Sequence, residues 1–143
     1  MDILISSNLE RLIYLICGED SEKTKELMEE LKTTGKYTIT PEMKEKLADF
    51  AAGYSTEEET AESIHDTYQK TGYVMDTHTA VAAHVCGQYR AKSGDQTKCV
   101  IASTASPYKF VKSVMSAIDA ENANADEFDL LPKLQEVSGV PMP

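Results

Sequence analysis

The stretch "KCVIASTASPYKF", residues 98–110, joins an apolar run to the start of a helix. Lys98–Ala102 is short and apolar, which predicts a buried strand. Ser106 and Pro107 fit the N-cap and the first helical position, where the missing amide of proline costs nothing. The apolar residues that follow recur at helical spacing and predict a buried helix face: Phe110, Val111, Val114, Met115 and Ile118. A joint of strand, turn and helix is typical of α/β proteins.

A similar joint opens the chain. Asp2–Ile5 predicts a second short strand, and a polar turn with Ser7 and Asn8 comes directly after it. Glu10 stands three residues beyond Ser7, which is the spacing of a capping box. We therefore expect Ser7 to cap the amide of Glu10. The free amides of such a helix start favour an anion in front of it.

Capping residues and glycines predict the other helix boundaries. Asp76 or Thr77 can cap a helix whose small residues predict a central, buried position: Ala80, Ala82, Ala83 and Gly87. A short helix is expected near Glu127–Val137. The predicted fold class is an α-rich α/β fold with about two short strands. Because buried parallel strands need neighbours on both sides, residues 1–143 are expected to form a single partial domain of a larger α/β protein.

Composition excludes several classes of function. The net charge is −10 with only 14 basic residues, which argues against nucleic-acid binding. No apolar run has the length of a membrane span, and no secretory signal is visible, so we expect a cytoplasmic protein without a membrane partner.

The cysteines, Cys17, Cys86 and Cys99, form no CxxC pair and stand among apolar neighbours. We expect three buried thiols rather than a disulfide framework or a zinc site.

Few side chains carry an obvious chemical signal. The histidines show no metal-ligand spacing, so no metal site is predicted. His78 is the most interesting of them, since it stands in a helix's first turn beside Asp76. Thr104 follows the carboxyl end of the predicted strand, where ligands of open α/β sheets bind. Lys109 could be taken for a Schiff-base lysine, but its place in the first turn of a helix favours a surface role.

Three segments together resemble threonine synthase, a pyridoxal-phosphate enzyme of the tryptophan-synthase-β-like fold, also called fold type II. They are "DILISSNLERL" (2–12), "TGYVMDTHTAVA" (71–82) and "STASPYKF" (103–110), and they occur in that family's order. The resemblance covers the chain to about residue 119. Residues 120–143 form an acidic tail, weakly structured or with one short helix.

The resemblance implies the C-terminal part of the family's chain. The segment with the Schiff-base lysine and the loop that grips the cofactor phosphate have no counterpart here, so no catalytic residue is expected in this chain. Thr104 takes the place of the threonine that hydrogen-bonds the pyridine nitrogen. Ser7, Asn8 and His78 are expected to face the substrate. The family commonly has His at Ser106, so contacts of that side chain do not carry over. It commonly has Pro at Thr77, a change expected to affect only helix initiation, because Thr is itself a good cap.

By resemblance, the whole enzyme would use pyridoxal 5'-phosphate to convert O-phospho-L-homoserine and water to L-threonine and phosphate. The partners of this chain would be that small molecule and the remainder of the same polypeptide. The isolated chain would be inactive. Two alternatives stay open at this point: a non-catalytic helical interaction module derived from such an enzyme, and a related fold type II lyase that acts on another amino acid.

Overall fold

Helices make up the regular structure of residues 5–122 and 125–142, the part of the chain that our computed structural model describes. The chain divides into two compact units, residues 1–51 and 52–143. Each unit has its own hydrophobic core. Among the described residues, no helix is long and apolar enough to cross a bilayer.

The described part of the first unit contains three helices: α1 (Ser7–Ile16), α2 (Ser21–Thr34) and α3 (Pro41–Glu45). They enclose a small core of Ile13, Ile16, Leu27 and Met43. The ammonium group of Lys46 donates a hydrogen bond of 3.0 Å to the carbonyl of Ile16, so the residue after α3 satisfies a free carbonyl at the end of α1.

The cap of α1 lies one residue earlier than the sequence suggests. The Ser6 side chain accepts a hydrogen bond from the Leu9 amide at 3.4 Å, whereas Ser7 is the first helical residue. An N-cap residue needs extended backbone angles, and Ser6 has them with φ −97° and ψ 116°. The prediction that Ser7 caps Glu10 is therefore wrong.

The second unit is built from four α-helices within the described residues: α4 (Glu57–Thr71), α5 (Thr77–Ser93), α6 (Val111–Ile118) and α7 (Glu127–Ser138). A 3₁₀ turn at Pro107–Phe110 leads into α6, and another at Ala120–Asn122 follows it. Helix α4 packs on α5 and α6, and α6 packs on α7. The residues at the centre of this core are almost completely buried: Ile64, Val114, Met115, Leu130 and Leu134.

Several predicted helix boundaries are confirmed. Ser106 caps the 3₁₀ turn through the Tyr108 amide, and Pro107 stands at its first position. The face predicted for the following helix is the one that packs inward, with Val111 buried and Phe110 partly so. Helix α7 occupies the place of the short helix expected near Glu127–Val137. These boundaries were predictable because caps depend on residues close in sequence.

The strand predicted at Lys98–Ala102 is wrong for the chain as described. That segment has no regular secondary structure, and no strand is present in residues 5–122 or 125–142. Val100 is 94% exposed, so its apolar side chain has no core to enter. A strand needs a neighbour to pair its amides and carbonyls, and the described residues supply none. The α/β prediction is thus corrected to a helical fold. The other predicted strand, Asp2–Ile5, lies outside the described residues except for Ile5.

Two predictions of burial are also wrong. Helix α5 is buried only at Thr79 and Ala80, although its small residues suggested a central position. Apart from its chain neighbours and the backbone of α5, no described atom lies within 4 Å of the place that a Cβ of Gly87 would take. Of the cysteines, Cys99 is exposed, and the other two are only partly buried. Apolar neighbours in sequence do not bury a residue when the segment itself lacks a packing partner.

Replacing Leu130 by Ala should lower the free energy of unfolding by about 2–5 kcal/mol, because the side chain is completely buried and its removal leaves a cavity. Urea unfolding followed by circular dichroism measures the change. Phe128→Ala is the matched control on the same helix, since Phe128 is 81% exposed. This replacement should change the free energy of unfolding by less than about 0.5 kcal/mol. Equal effects of the two variants would contradict the packing of α7.

Candidate functional site

The N-terminus of α5 is organised by one buried carboxylate. Asp76 is 1% exposed and accepts hydrogen bonds from the amides of His78 at 2.8 Å and of Thr79 at 3.3 Å. It also accepts a short hydrogen bond from the Thr79 hydroxyl. These donors offset the cost of burying a carboxylate and hold the first turn of α5 in place. Of the two caps that the sequence allowed, Asp76 is the one that forms.

The Thr79 hydroxyl extends this network to a distant part of the chain. It lies 3.0 Å from the Ser103 hydroxyl, 24 residues further along. Ser103 is directly followed by Thr104, so the backbone at Thr104 is tied through two hydroxyls to the buried carboxylate of Asp76. The residue singled out in the sequence is therefore positioned by the N-terminus of α5.

A second contact fixes the other end of the same segment. Gly94 ends α5 with φ +73°, a left-handed conformation that glycine adopts without strain, and the chain reverses direction there. The Arg90 guanidinium then donates a short hydrogen bond to the carbonyl of Thr97. We name residues 94–106 the return segment. It is anchored on α5 at Thr97 and at Ser103.

Thr104 is exposed at the end of the return segment. Among the described residues, no group forms a hydrogen bond with its hydroxyl. A neutral hydroxyl can both donate and accept, so this group is free to pair with a ring nitrogen of a ligand. The described residues alone do not enclose a ligand there, so the role that the sequence resemblance assigns to Thr104 stays a prediction.

His78 lies at the same end of α5. Its ring centroid is 4.9 Å from that of Phe110, and its Nδ1 is 3.3 Å from Asp76 Oδ1. Nδ1 is buried but forms no hydrogen bond with a described residue. The side chain is 38% exposed, so part of the ring reaches the surface. His78 is thus held between a carboxylate and an aromatic ring, near the anchored end of the return segment.

The other candidates lie elsewhere. Lys109 is exposed, with its Nζ 5.6 Å from the centroid of the Phe110 ring, a cation–π contact. Ser7 and Asn8 are exposed in the first turn of α1 and belong to the first unit. The structure therefore groups His78 with the anchor of Thr104 in the second unit. No group of three potential metal ligands occurs within the described residues.

Two residues of this site escaped sequence reasoning. Thr79 and Ser103 connect the cap of α5 to Thr104, yet both are common helix and turn residues. The spacing of Asp76 and Thr79, an N-cap and the third helical residue, is the position pair of a capping box and was a usable local signal. No comparable local signal exists for Ser103, because its partner is 24 residues away.

Comparison with known proteins points to one family. The family model described as "Threonine synthase, C-terminal" matches residues 79–141, which include α5 from its third residue onward and the return segment. Threonine synthase from Saccharomyces cerevisiae is 35% identical over 148 residues, which cover 93% of this chain. This chain resembles the C-terminal part of threonine synthase. Human threonine synthase-like 1 is 34% identical over 142 residues, or 99% of the chain.

A solved structure agrees with these sequences. The crystal structure of pyridoxal-phosphate-bound threonine synthase from Brucella melitensis matches 87% of this chain with a TM-score of 0.67 and 35% identity. The chain spans only part of each threonine synthase relative: 29% of the yeast protein, 19% of human threonine synthase-like 1 and 28% of the Brucella chain. The resemblance inferred from three short segments is confirmed.

Replacing Asp76 by Ala should lower the free energy of unfolding by roughly 2–4 kcal/mol, since it removes a helix cap and leaves a buried hydroxyl without its acceptor. Thermal or urea unfolding measures this loss. Asp126→Ala is the matched control: Asp126 caps α7 through the Phe128 amide at 2.9 Å, but it is exposed. Asp126→Ala should lower the free energy of unfolding by about 1 kcal/mol. If Asp76→Ala cost no more than Asp126→Ala, the buried network would not hold α5.

Proposed function

We propose that this chain is the C-terminal part of a cytoplasmic, pyridoxal-phosphate-dependent threonine synthase. The whole enzyme converts O-phospho-L-homoserine and water to L-threonine and phosphate. The observation that carries the proposal is the exposed hydroxyl of Thr104, held at the end of an anchored segment in a chain that matches a pyridoxal-phosphate-bound threonine synthase at 35% identity.

Thr104 is the proposed partner of the cofactor ring. Pyridoxal phosphate supplies an electron sink for bond breaking next to the amino group of the substrate. A hydroxyl at the pyridine nitrogen accepts or donates a hydrogen bond without forcing that nitrogen to carry a proton, as a carboxylate would. Thr104 thereby orients the ring and limits how strongly it withdraws electrons. The hydrogen bond between the Thr79 and Ser103 hydroxyls holds the backbone that carries the Thr104 hydroxyl.

His78 is proposed to face the substrate. Its ring is held by Phe110 on one side and by Asp76 on another, and part of it is exposed. A ring N–H of histidine can donate a hydrogen bond to an anionic oxygen, and the proposed substrate carries a phosphate and a carboxylate. Ser7 and Asn8 keep the substrate-facing role that the resemblance assigns to them.

The remainder of the site is proposed to come from the rest of the polypeptide. Lys109 is not the lysine that binds the cofactor, because it lies over the Phe110 ring on the surface and outside the anchored network. Val100 and Ile101 are apolar and yet exposed, which favours pairing of this segment with a strand from the rest of the polypeptide. An apolar segment of this kind is stable when it is buried in a sheet. Thr104 would then follow a strand at the carboxyl edge of that sheet, where ligands of open α/β sheets bind.

The proposal is tested in the longest natural polypeptide that contains this chain, by assaying phosphate release from O-phospho-L-homoserine. Thr104→Ala should lower kcat by about 10–100-fold, because a lost hydrogen bond in the transition state costs about 1.4–2.8 kcal/mol. Thr104→Ser keeps the hydroxyl and should retain most of the activity. The absorbance spectrum of the bound cofactor should change in the alanine variant and not in the serine variant.

Thr33→Ala is a suitable control, because the Thr33 hydroxyl bonds only to carbonyls of its own helix α2. The isolated 143-residue chain should show no turnover. An unchanged spectrum and kcat in Thr104→Ala would refute the role at the ring nitrogen. A longer polypeptide without any pyridoxal-phosphate-dependent turnover would favour a non-catalytic module, and turnover of another amino acid would favour a related lyase.

A further inference from the structure

One face of α5 carries three side chains that meet the return segment. Thr79, Cys86 and Arg90 are separated by seven and four residues, which places them on the same side of an α-helix. Thr79 contacts Ser103, and Arg90 contacts Thr97. The return segment therefore runs along this face in the direction opposite to the helix. Cys86 stands between its two anchors.

The register of these anchors brings two thiols together. Cys86 is four residues from Arg90, or about 6 Å along the helix axis. Cys99 is two residues from Thr97, which is at most about 6.6 Å of chain. Both cysteines therefore lie about the same distance along the axis of α5 from the contact between Arg90 and Thr97. In keeping with this register, hydrogen bonding to Cys99 is the main cause that raises the pKa of Cys86, and partial burial adds to it.

The two thiols differ in their access to reagents. Cys99 is exposed in the return segment, whereas Cys86 is partly buried on α5, and neither forms a disulfide. An exposed thiol paired with a less accessible neighbour is the arrangement of an attacking and a resolving cysteine. The third cysteine has a different environment. The Sγ of Cys17 lies 3.9 Å from the Sδ of Met43 in the first unit.

We propose that Cys86 and Cys99 form a redox pair that closes into an intramolecular disulfide by exchange with a small disulfide of the oxidised-glutathione class. This inference does not depend on the proposed enzymatic function. The bond would tie the return segment covalently to α5, between its two hydrogen-bonded anchors and five residues before Thr104. Oxidation would thus fix the segment against α5 and keep residues 98–102 from pairing with another strand.

The exchange proceeds in two balanced steps. The Cys99 thiolate attacks one sulfur of the small disulfide, a mixed disulfide forms, and the other half leaves as a thiolate. The Cys86 thiolate then attacks the Cys99 sulfur, closes the protein disulfide and releases the second thiolate. Two protein thiols lose two protons and two electrons, and one small disulfide is reduced to two thiols. A reduced small thiol reverses both steps.

Equilibration of the 143-residue chain with glutathione buffers of increasing oxidised fraction tests the proposal. Remaining thiols are alkylated at low pH, and peptide mass spectrometry identifies the pairs. We expect Cys86 and Cys99 to lose alkylation together and to appear in one disulfide-linked peptide pair, while Cys17 stays alkylated. Added dithiothreitol should restore all three thiols.

Three comparisons make the result decisive. Cys17→Ser should leave the pairing unchanged. In the Cys86→Ser variant the exchange should stop at a mixed disulfide on Cys99. In the Cys99→Ser variant Cys86 should stay largely reduced. The same buffers in strong urea should give mixed pairings that include Cys17. Equal pairing of the three cysteines in the folded and the urea-unfolded chain would overturn the proposal, and so would a folded chain in which Cys86 and Cys99 stay alkylated at every oxidised fraction.

Discussion

The buried carboxylate of Asp76 is the interaction on which the second unit's candidate site depends. A carboxylate that is 1% exposed is tolerable only when donors surround it, and two amides of α5 and the Thr79 hydroxyl serve as those donors. The same group therefore starts the helix and, through Thr79, holds Ser103. One interaction thus links the start of α5 to the segment that carries Thr104.

Helix boundaries could be predicted from the sequence wherever a cap lies within a few residues of its partner. Ser106 and Pro107 start a helical turn as expected, and Asp76, one of the two expected caps, starts α5. The strand at Lys98–Ala102 could not be settled in this way, because a strand forms only with a neighbour and sequence patterns do not say where that neighbour is. The described chain supplies no neighbour, so an apolar segment that would suit a sheet stays exposed.

The candidate site shows the same division between local and distant information. Thr104 was found from its place after an apolar run and from a family resemblance, and Asp76 was found as a cap. The contacts that position Thr104 join residues 24 and seven positions apart and needed the structure. The three cysteines were expected to be buried because of their sequence neighbours, whereas the structure exposes Cys99 and brings it to Cys86. That juxtaposition follows from the reversal at Gly94, which no cysteine spacing reveals.

A double-mutant cycle between Thr79 and Ser103 tests most directly whether α5 positions the segment that carries Thr104. The free energy of unfolding is measured for Thr79→Val, Ser103→Ala, the double variant and the unchanged chain. A hydrogen bond between the two hydroxyls predicts a coupling energy of about 0.5–1.5 kcal/mol. Effects that add to within about 0.3 kcal/mol would show that the two residues do not interact, and the link from Asp76 to Thr104 would be absent.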